Sequence, residues 1–275
     1  MISDPGSTRV KAVTRLSQKD ARQETGLFLL EGPQGLKELT HYPEIVHEIF
    51  VTEAASARYA QELDLLRSSK INIEVVSDRV IEKLSETQTP QGIVAVVHQL
   101  HIDLEDLIEA KPKLVVLLDR IQDPGNAGTI LRAADAAGCD GVVFSPGSVD
   151  VYNGKVVRST AGSLLHVPVV LGTDLGSAIK ELQNIGMQVF LADVDGESLP
   201  QIQPEVLGQP TVWIFGNEAN GADPALRSQV DKVVSIPIYG SAESLNLATA
   251  ASICLYSSAF AQAAGRYTCA NGGHQ

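Results

Sequence analysis

The sequence predicts an α/β protein of two domains, the second built on a mostly parallel sheet. Three observations carry this. The 275 residues suffice for about two domains at roughly 100–200 residues each. Short apolar runs alternate with helical segments along most of the chain. In the second half those runs are almost wholly apolar, as in parallel strands covered by helices on both faces. The expected division is a smaller α/β domain over residues 1–100, a linker over 101–112 and a larger domain over 113–275.

Taken in order, residues 7–23 come first and carry Arg9, Lys11, Arg15, Lys19 and Arg22 against Asp20. Lys11, Arg15, Lys19 and Arg22 follow i+4 and i+3 steps, so the spacing predicts one helix with a cationic stripe, either a solvated face or an RNA contact. Apolar and helical segments then alternate at 27–30, 35–39, 47–51, 54–67, 72–76, 79–84 and 92–97. The acid-rich stretch 98–112, closing on Lys111-Pro112, marks the linker. Beyond it, strands are expected at 114–118, 141–144, 167–170, 188–191, 212–215 and 233–236. Helices are expected from Ala127, near Val156, from Leu175 and from Ser244. Ligands of such sheets bind at the carboxyl ends of the strands.

Composition narrows the classes. Hydrophobic residues make up 44% and charged residues 20%, far from the disordered region. Twenty-one Lys+Arg against thirty-three Asp+Glu give a net charge of −12, which excludes a general DNA coat protein and confines any nucleic-acid site to a local basic patch. Cys139, Cys254 and Cys269 show no disulfide or zinc spacing, and buried thiols are expected. The six histidines are scattered, so no metal site is expected. The start of the chain lacks a secretory pattern, and residues 247–264 are interrupted by polar side chains. A cytoplasmic protein with no membrane or DNA partner is expected.

Three loops concentrate the polar signal. In Asp123-Pro124-Gly125-Asn126, Pro-Gly makes a turn and Asn126 is a candidate helix cap, with Arg132 one to two turns further on. In Gly216-Asn217-Glu218-Ala219-Asn220-Gly221, glycines allow close backbone approach, and Glu218 stands where a phosphate loop would need a cation. The loop suits a neutral or cationic ligand. In Ile236-Pro237 to Ser244-Leu245-Asn246, Ser244 is a candidate cap of the last helix. Fingerprints for dinucleotides, P-loop nucleotides, serine hydrolysis and zinc hydrolysis are absent.

In this order, Asn126…Arg132, Gly216-Asn217-Glu218-Ala219-Asn220-Gly221 and Ile236-Pro237…Gly240…Ser244-Leu245-Asn246-Leu247 resemble the SpoU (TrmH-type) family of RNA ribose 2′-O-methyltransferases in the SPOUT superfamily. Residues 9–97, with Gly26-Leu27-Phe28-Leu29-Leu30-Glu31-Gly32, are similar to the L30e-like RNA-binding domain attached to some members. The resemblance implies an S-adenosyl-L-methionine (SAM)-dependent homodimer whose catalytic domain holds a deep trefoil knot. It places cofactor contacts at Gly216, Asn217, Ile236, Leu245 and Ala192, and the catalytic and substrate site at Asn126, Arg132, Glu218, Ser244 and Asn246. A guanidinium essentially never gives up its proton. Arg132 is therefore expected to clamp a phosphate and stabilise the developing alkoxide, with the proton leaving through solvent, the phosphate or Glu218. The domain order favours 23S ribosomal RNA. A tRNA methyltransferase and a non-catalytic RNA-binding protein of the same fold are the alternatives.

Overall fold

The computed structural model describes residues 1–271, with side chains described through 264. The expectations for Cys269 and His274 lie outside the described residues. Contacts divide the chain into two compact units, Met1–Leu100 with Asp150–Leu165, and His101–Val149 with His166 onward. Residues 150–165, assigned from sequence to the 113–275 domain, thus pack with the first unit.

The first unit opens with α1 (Thr8–Thr14), whose cap Ser7 accepts from the Val10 amide. A 3-10 turn at Arg15–Ser17 and α2 (Lys19–Thr25) follow. Gln18 is extended, at φ −93° and ψ 138°, so the single helix expected over 7–23 is two helices and the cationic stripe loses its register there. Next come β1 (Leu27–Glu31), α3 (Gly32–Leu39), β2 (Val46–Thr52), α4 (Glu53–Arg58), α5 (Ala60–Ser68), β3 (Asn72–Val76), α6 (Asp78–Leu84) and β4 (Ile93–His98). The strands lie in the order β1-β4-β2-β3, with β4 antiparallel to both neighbours and β2 parallel to β3. Leu29, Phe50, Val76, Val94 and Val96 from one sheet face meet Val10, Val13, Val80, Ile81 and Leu84 from α1 and α6. Two-residue periodicity on strands and three-to-four on helices build this core.

In the second unit the expected linker holds α7 (Leu104–Glu109). Leu104 and Leu107 enter the core, while Asp103, Glu105, Asp106 and Glu109 stay exposed. The i, i+3 leucines make it an amphipathic helix that acid content alone disguises. Then follow β5 (Leu114–Leu118), α8 (Pro124–Ala137), β6 (Gly141–Phe144), α9 (Gly154–Thr160, within the first unit), β7 (Val169–Leu171), α10 (Leu175–Asn184), β8 (Gln188–Ser198), α11 (Pro204–Leu207), β9 (Thr211–Phe215), α12 (Pro224–Arg227), β10 (Lys232–Ser235) and α13 (Leu247–Asn271).

The six strands lie in the order β10-β8-β9-β5-β6-β7, and every pairing is parallel. β5 and β9 are buried along their whole length, which is why they read as unbroken apolar runs. The strand order reverses between β5 and β9, the place where such sheets open a ligand crevice.

Residues 247–264 of α13 have membrane-helix length and a mean hydropathy of 1.2. Ala248, Ala251, Cys254, Leu255 and Ser258 are nonetheless buried, and Ser258 Oγ accepts from Trp213 Nε1 at 2.9 Å. That face is packed on the sheet. Burial pushes the Cys139 and Cys254 thiols up to about 12, with Asp140 adding to the effect at Cys139; neither is poised for chemistry.

Candidate active site

β5 and β9 end side by side at the reversal, and the Asp119 amide continues their ladder to the Phe215 carbonyl at 2.9 Å. The loop leaving β5 enters α8 with Asp123 as its cap, the carboxylate accepting from the Asn126 amide at 2.7 Å. Pro124 takes the first helical position, where its missing N–H costs nothing. The cap expected at Asn126 is therefore three residues earlier, and the Asn126 side chain is free to reach outward. Its Nδ2 donates to Glu218 Oε1 at 3.3 Å, and its Oδ1 accepts from Asn246 Nδ2 at 2.9 Å. Asn246 in turn accepts from the Ala248 and Thr249 amides at 2.9 and 3.3 Å. Asn246, not Ser244, thus caps α13. One chain of side chains, Glu218–Asn126–Asn246, joins all three loops.

Glu218 also accepts from the backbone of Gln122 at 3.2 Å and Asp123 at 3.1 Å. Burial pushes its carboxyl up, but hydrogen bonds from its own backbone, from Gln122 and Asp123 and from Asn126 outweigh this and hold it below its ordinary value. A carboxylate with so many donors is a weak base, which argues against Glu218 as the exit for a proton and makes it the bolt between two loops. Arg132 is exposed on α8 and has no hydrogen bond or ion pair among the described residues. Its guanidinium is available to a ligand.

Beside this network lies a cavity of about 310 Å³, within the range of small-molecule sites. Ala192, Ile236, Ser244 and Leu245 line it, with Pro237, Ile238 and Glu243 of the third loop and with Asp193, Val194 and Phe215, which sequence reasoning did not single out. Gly216 and Asn217 adjoin the wall through Phe215 without lining it. Asp193 and Val194 come from a break in strand pairing. β10 pairs Val233 with Leu191 and then Val234 with Glu197, so residues 192–196 bulge out of β8 toward the cavity. A bulge of this kind leaves no hydropathy signal.

Two glycines permit the layout. A Cβ at Gly196 would stand 2.5 Å from the Val233–Val234 backbone, and one at Gly216 would stand 2.0 Å from the Ala222 amide nitrogen. Because backbone cannot rotate away, Gly216→Ala is expected to destabilise the protein by about 2–3 kcal/mol. Thermal unfolding measures this, and an unchanged Tm would contradict the close packing.

The cationic residues of the first unit separate into two groups. Arg9 pairs with Glu48 and, at 3.3 Å, with Glu74, and lies over the Phe50 ring. Arg15 pairs with Glu24 at 3.5 Å. Arg22 is buried, its side chain 3% exposed, against Asp150, so it is structural and is removed from the candidate RNA contacts. Lys11 and Lys19 are exposed without a partner among the described residues. A larger, open cavity of about 410 Å³ in this unit, lined by Thr52, Arg58, Tyr59, Asp78, Glu82 and Gln91 among others, contains no residue of the three loops.

Comparison with known proteins decides the family. Residues 113–256 match the SpoU rRNA Methylase family, and residues 7–95 match the MRM3-like substrate binding domain. The chain belongs to the SpoU rRNA methylase family. The 23S rRNA (guanosine(2553)-2′-O)-methyltransferase RlmP of Bacillus subtilis is 37% identical over 255 residues, 93% of this chain and 97% of that protein. The 23S rRNA (uridine(2479)-2′-O)-methyltransferase of Streptomyces viridochromogenes is 32% identical, over 91% of this chain and 88% of its own. Among solved structures, the AdoMet-bound rRNA methyltransferase from Sinorhizobium meliloti superposes with a TM-score of 0.82 at 28% identity, covering 94% of this chain and 96% of that one. The SpoU methyltransferase AviRb from S. viridochromogenes with AdoMet gives 0.80 at 30% identity, covering 92% and 97%. Both superpositions span both units, and the expected α/β class with a parallel second sheet is the observed one.

Proposed function

We propose that this chain is a SAM-dependent RNA ribose 2′-O-methyltransferase acting on 23S ribosomal RNA. The observation that carries the reading is the Glu218–Asn126–Asn246 chain beside a cavity walled by Ser244 and Leu245, with Arg132 exposed and unpaired on α8. The relatives act on guanosine in one case and uridine in the other, and their names share the ribose 2′-oxygen. This supports a site that reads ribose and phosphate more than base.

The cavity fits the cofactor by its chemistry. Ala192, Val194, Phe215, Ile236, Ile238 and Leu245 make an apolar wall, and Asp193 and Glu243 are the charged residues among its described lining. That donor set suits a ligand with an apolar base and a cationic centre and opposes a polyphosphate. When bound, SAM supplies an electrophilic methyl group on a sulfonium. Ala192, Ile236 and Leu245 are the residues that would hold it, with Gly216 and Asn217 shaping the adjoining loop.

The protein's own work is positioning and charge. Asn126 and Asn246, locked to each other, fix the start of α13 against α8, and Ser244, two residues earlier in the loop, orients the ribose in this reading. Holding two reactants in line removes much of the entropic cost of meeting. Arg132 clamps the phosphate beside the target ribose and stabilises the negative charge that develops on the 2′-oxygen. The proton leaves to solvent. Lys11 and Lys19 contribute the local positive charge that a chain of net −12 needs to meet RNA.

The homodimer, the deep trefoil knot and the cytoplasmic location belong to the same reading. The dimer is supported by the outer face of α13, where Ile253 and Phe260 are 38% and 69% exposed and the Tyr256 and Phe260 rings lie 5.3 Å apart at a tilt of 57°. An apolar stripe of this kind normally meets a partner. The test is transfer of labelled methyl from SAM to 23S ribosomal RNA and, separately, to bulk tRNA. Label in ribosomal RNA is expected. Label confined to tRNA would overturn the substrate, and none in either RNA, free or in ribosomal particles, would favour the non-catalytic binder.

A further inference from the structure

Two consecutive residues at the end of β5 are held in costly states that the chemistry above does not use. Asp119 is a carboxylate only 4% exposed. Arg120 has a left-handed backbone, φ 51°, which a residue with a Cβ adopts at a penalty. Burying a carboxylate is costly unless it is paired and hydrogen-bonded, and its partner Arg120 is itself 46% exposed, so stability alone does not explain the arrangement.

The bonds of this pair lead to the cavity. Asp119 accepts from Arg120 Nε and Nη2 at 3.1 and 2.9 Å and from the Asp223 backbone amide at 2.8 Å. The left-handed turn presents the Arg120 carbonyl to Asn217 Nδ2 at 2.7 Å, while the Arg120 amide donates to Ser145 Oγ at 2.8 Å. Asn217 in turn organises its own loop, its Oδ1 accepting from the Ala219 and Asn220 amides at 2.9 and 3.2 Å. Asp223 caps α12, and α12 carries Arg227, which pairs with Asp193 at 3.0 Å and Asp195 at 2.8 Å. Asp193 and Phe215, on either side of this circuit, both line the cavity.

We infer that Asp119 and Arg120 are a positioning pair that sets the shape of the cofactor cavity, through Asn217 to the loop after Phe215 and through Asp223, α12 and Arg227 to the bulge at 192–196. This rests on the methyltransferase reading. Arg120 neutralises the buried carboxylate, and the carboxylate holds the two loops at fixed separation. Neither residue lines the cavity or contacts Arg132, so the pair acts on cofactor affinity and not on RNA recognition or the transfer step.

The test is SAM binding by calorimetry together with separate KM values for SAM and for 23S ribosomal RNA. Asp119→Asn keeps the shape and loses the charge. Arg120→Gly keeps the left-handed backbone and its carbonyl contact and loses the guanidinium, and Arg120→Lys restores the charge. The first two are expected to weaken SAM binding and raise its KM about tenfold, the scale of one charge-assisted hydrogen bond. KM for RNA should stay unchanged, and Arg120→Lys should recover most of the loss. Should Asp119→Asn fail to fold, the Arg120 variants carry the test. SAM affinity within about twofold of wild type in the folded variants would overturn the pair's role, as would a parallel rise in KM for RNA, the mark of general loosening. Wild-type protein that binds no SAM would instead remove the methyltransferase reading itself.

Discussion

Arg132→Ala is expected to lower methyl transfer to 23S ribosomal RNA by about 10²–10³-fold, the scale for loss of one preorganised charge at a reacting oxygen, with Tm and SAM affinity unchanged. The selectivity follows from its surroundings. Arg132 is exposed and makes no hydrogen bond or ion pair among the described residues, so truncation leaves no buried group unpartnered, and surface changes of that kind stay within about 0.5 kcal/mol. It is also absent from the cavity lining.

The loss should appear in kcat more than in KM for RNA, because the charge on the 2′-oxygen grows only on the way to the transition state. Arg132→Lys separates two roles. A point charge without the planar fork should recover part of the rate, and full recovery would exclude bidentate clamping. Single-turnover rates with saturating SAM measure both variants. Wild-type turnover in Arg132→Ala would move the chemistry elsewhere, and Glu218, already engaged by Gln122, Asp123 and Asn126, is a poor replacement as a base.

What could be read from sequence is what local rules control. The parallel strands were legible because burial on both faces forces apolar runs, and a cap followed by proline, as at Asp223-Pro224, obeys a local rule because side chain and ring act within a few positions. The same rule, applied to Asp123-Pro124, points to the cap that the structure has, whereas attention to Asn126 as an Asx residue displaced it by three. Asn246 and Ser244 are both good caps by type, and the choice between them is made by Asn126, 120 positions away. The bulge at 192–196 and the Asp119–Arg120 pair depend on neighbouring strands and carry no periodic signal. Most of the site's composition was therefore visible, while the connections among its members were not.

The cationic stripe is the instructive failure, and it yields the second large effect: Arg22→Ala is expected to destabilise the first unit by about 3–5 kcal/mol. At i+3 from Lys19 the residue looks like the end of an exposed face. In the folded unit its side chain is 3% exposed. Nε and Nη2 both donate to Asp150 Oδ2, at 3.0 and 2.5 Å, and Nη1 donates to the Leu16 carbonyl at 2.8 Å. Asp150 belongs to the segment 150–165, whose Tyr152 hydroxyl accepts from the Leu100 amide at 2.8 Å and whose ring meets Phe28 at 4.9 Å. Truncating Arg22 strands a largely buried carboxylate and a carbonyl together, which is why the cost exceeds that of an exposed pair, typically about 0–1 kcal/mol. Arg22→Met with Asp150→Leu removes both charges and should recover much of the loss, because no uncompensated charge then remains. Denaturant unfolding with hydrogen exchange over residues 150–165 reads the effect directly. A cost below about 1 kcal/mol for Arg22→Ala would show the pair to be solvated and return Arg22 to the candidate RNA contacts. The charge-free double variant, if folded, should bind 23S ribosomal RNA as wild type does, whereas Lys11→Ala and Lys19→Ala should each weaken binding and lower its salt dependence by about one phosphate contact.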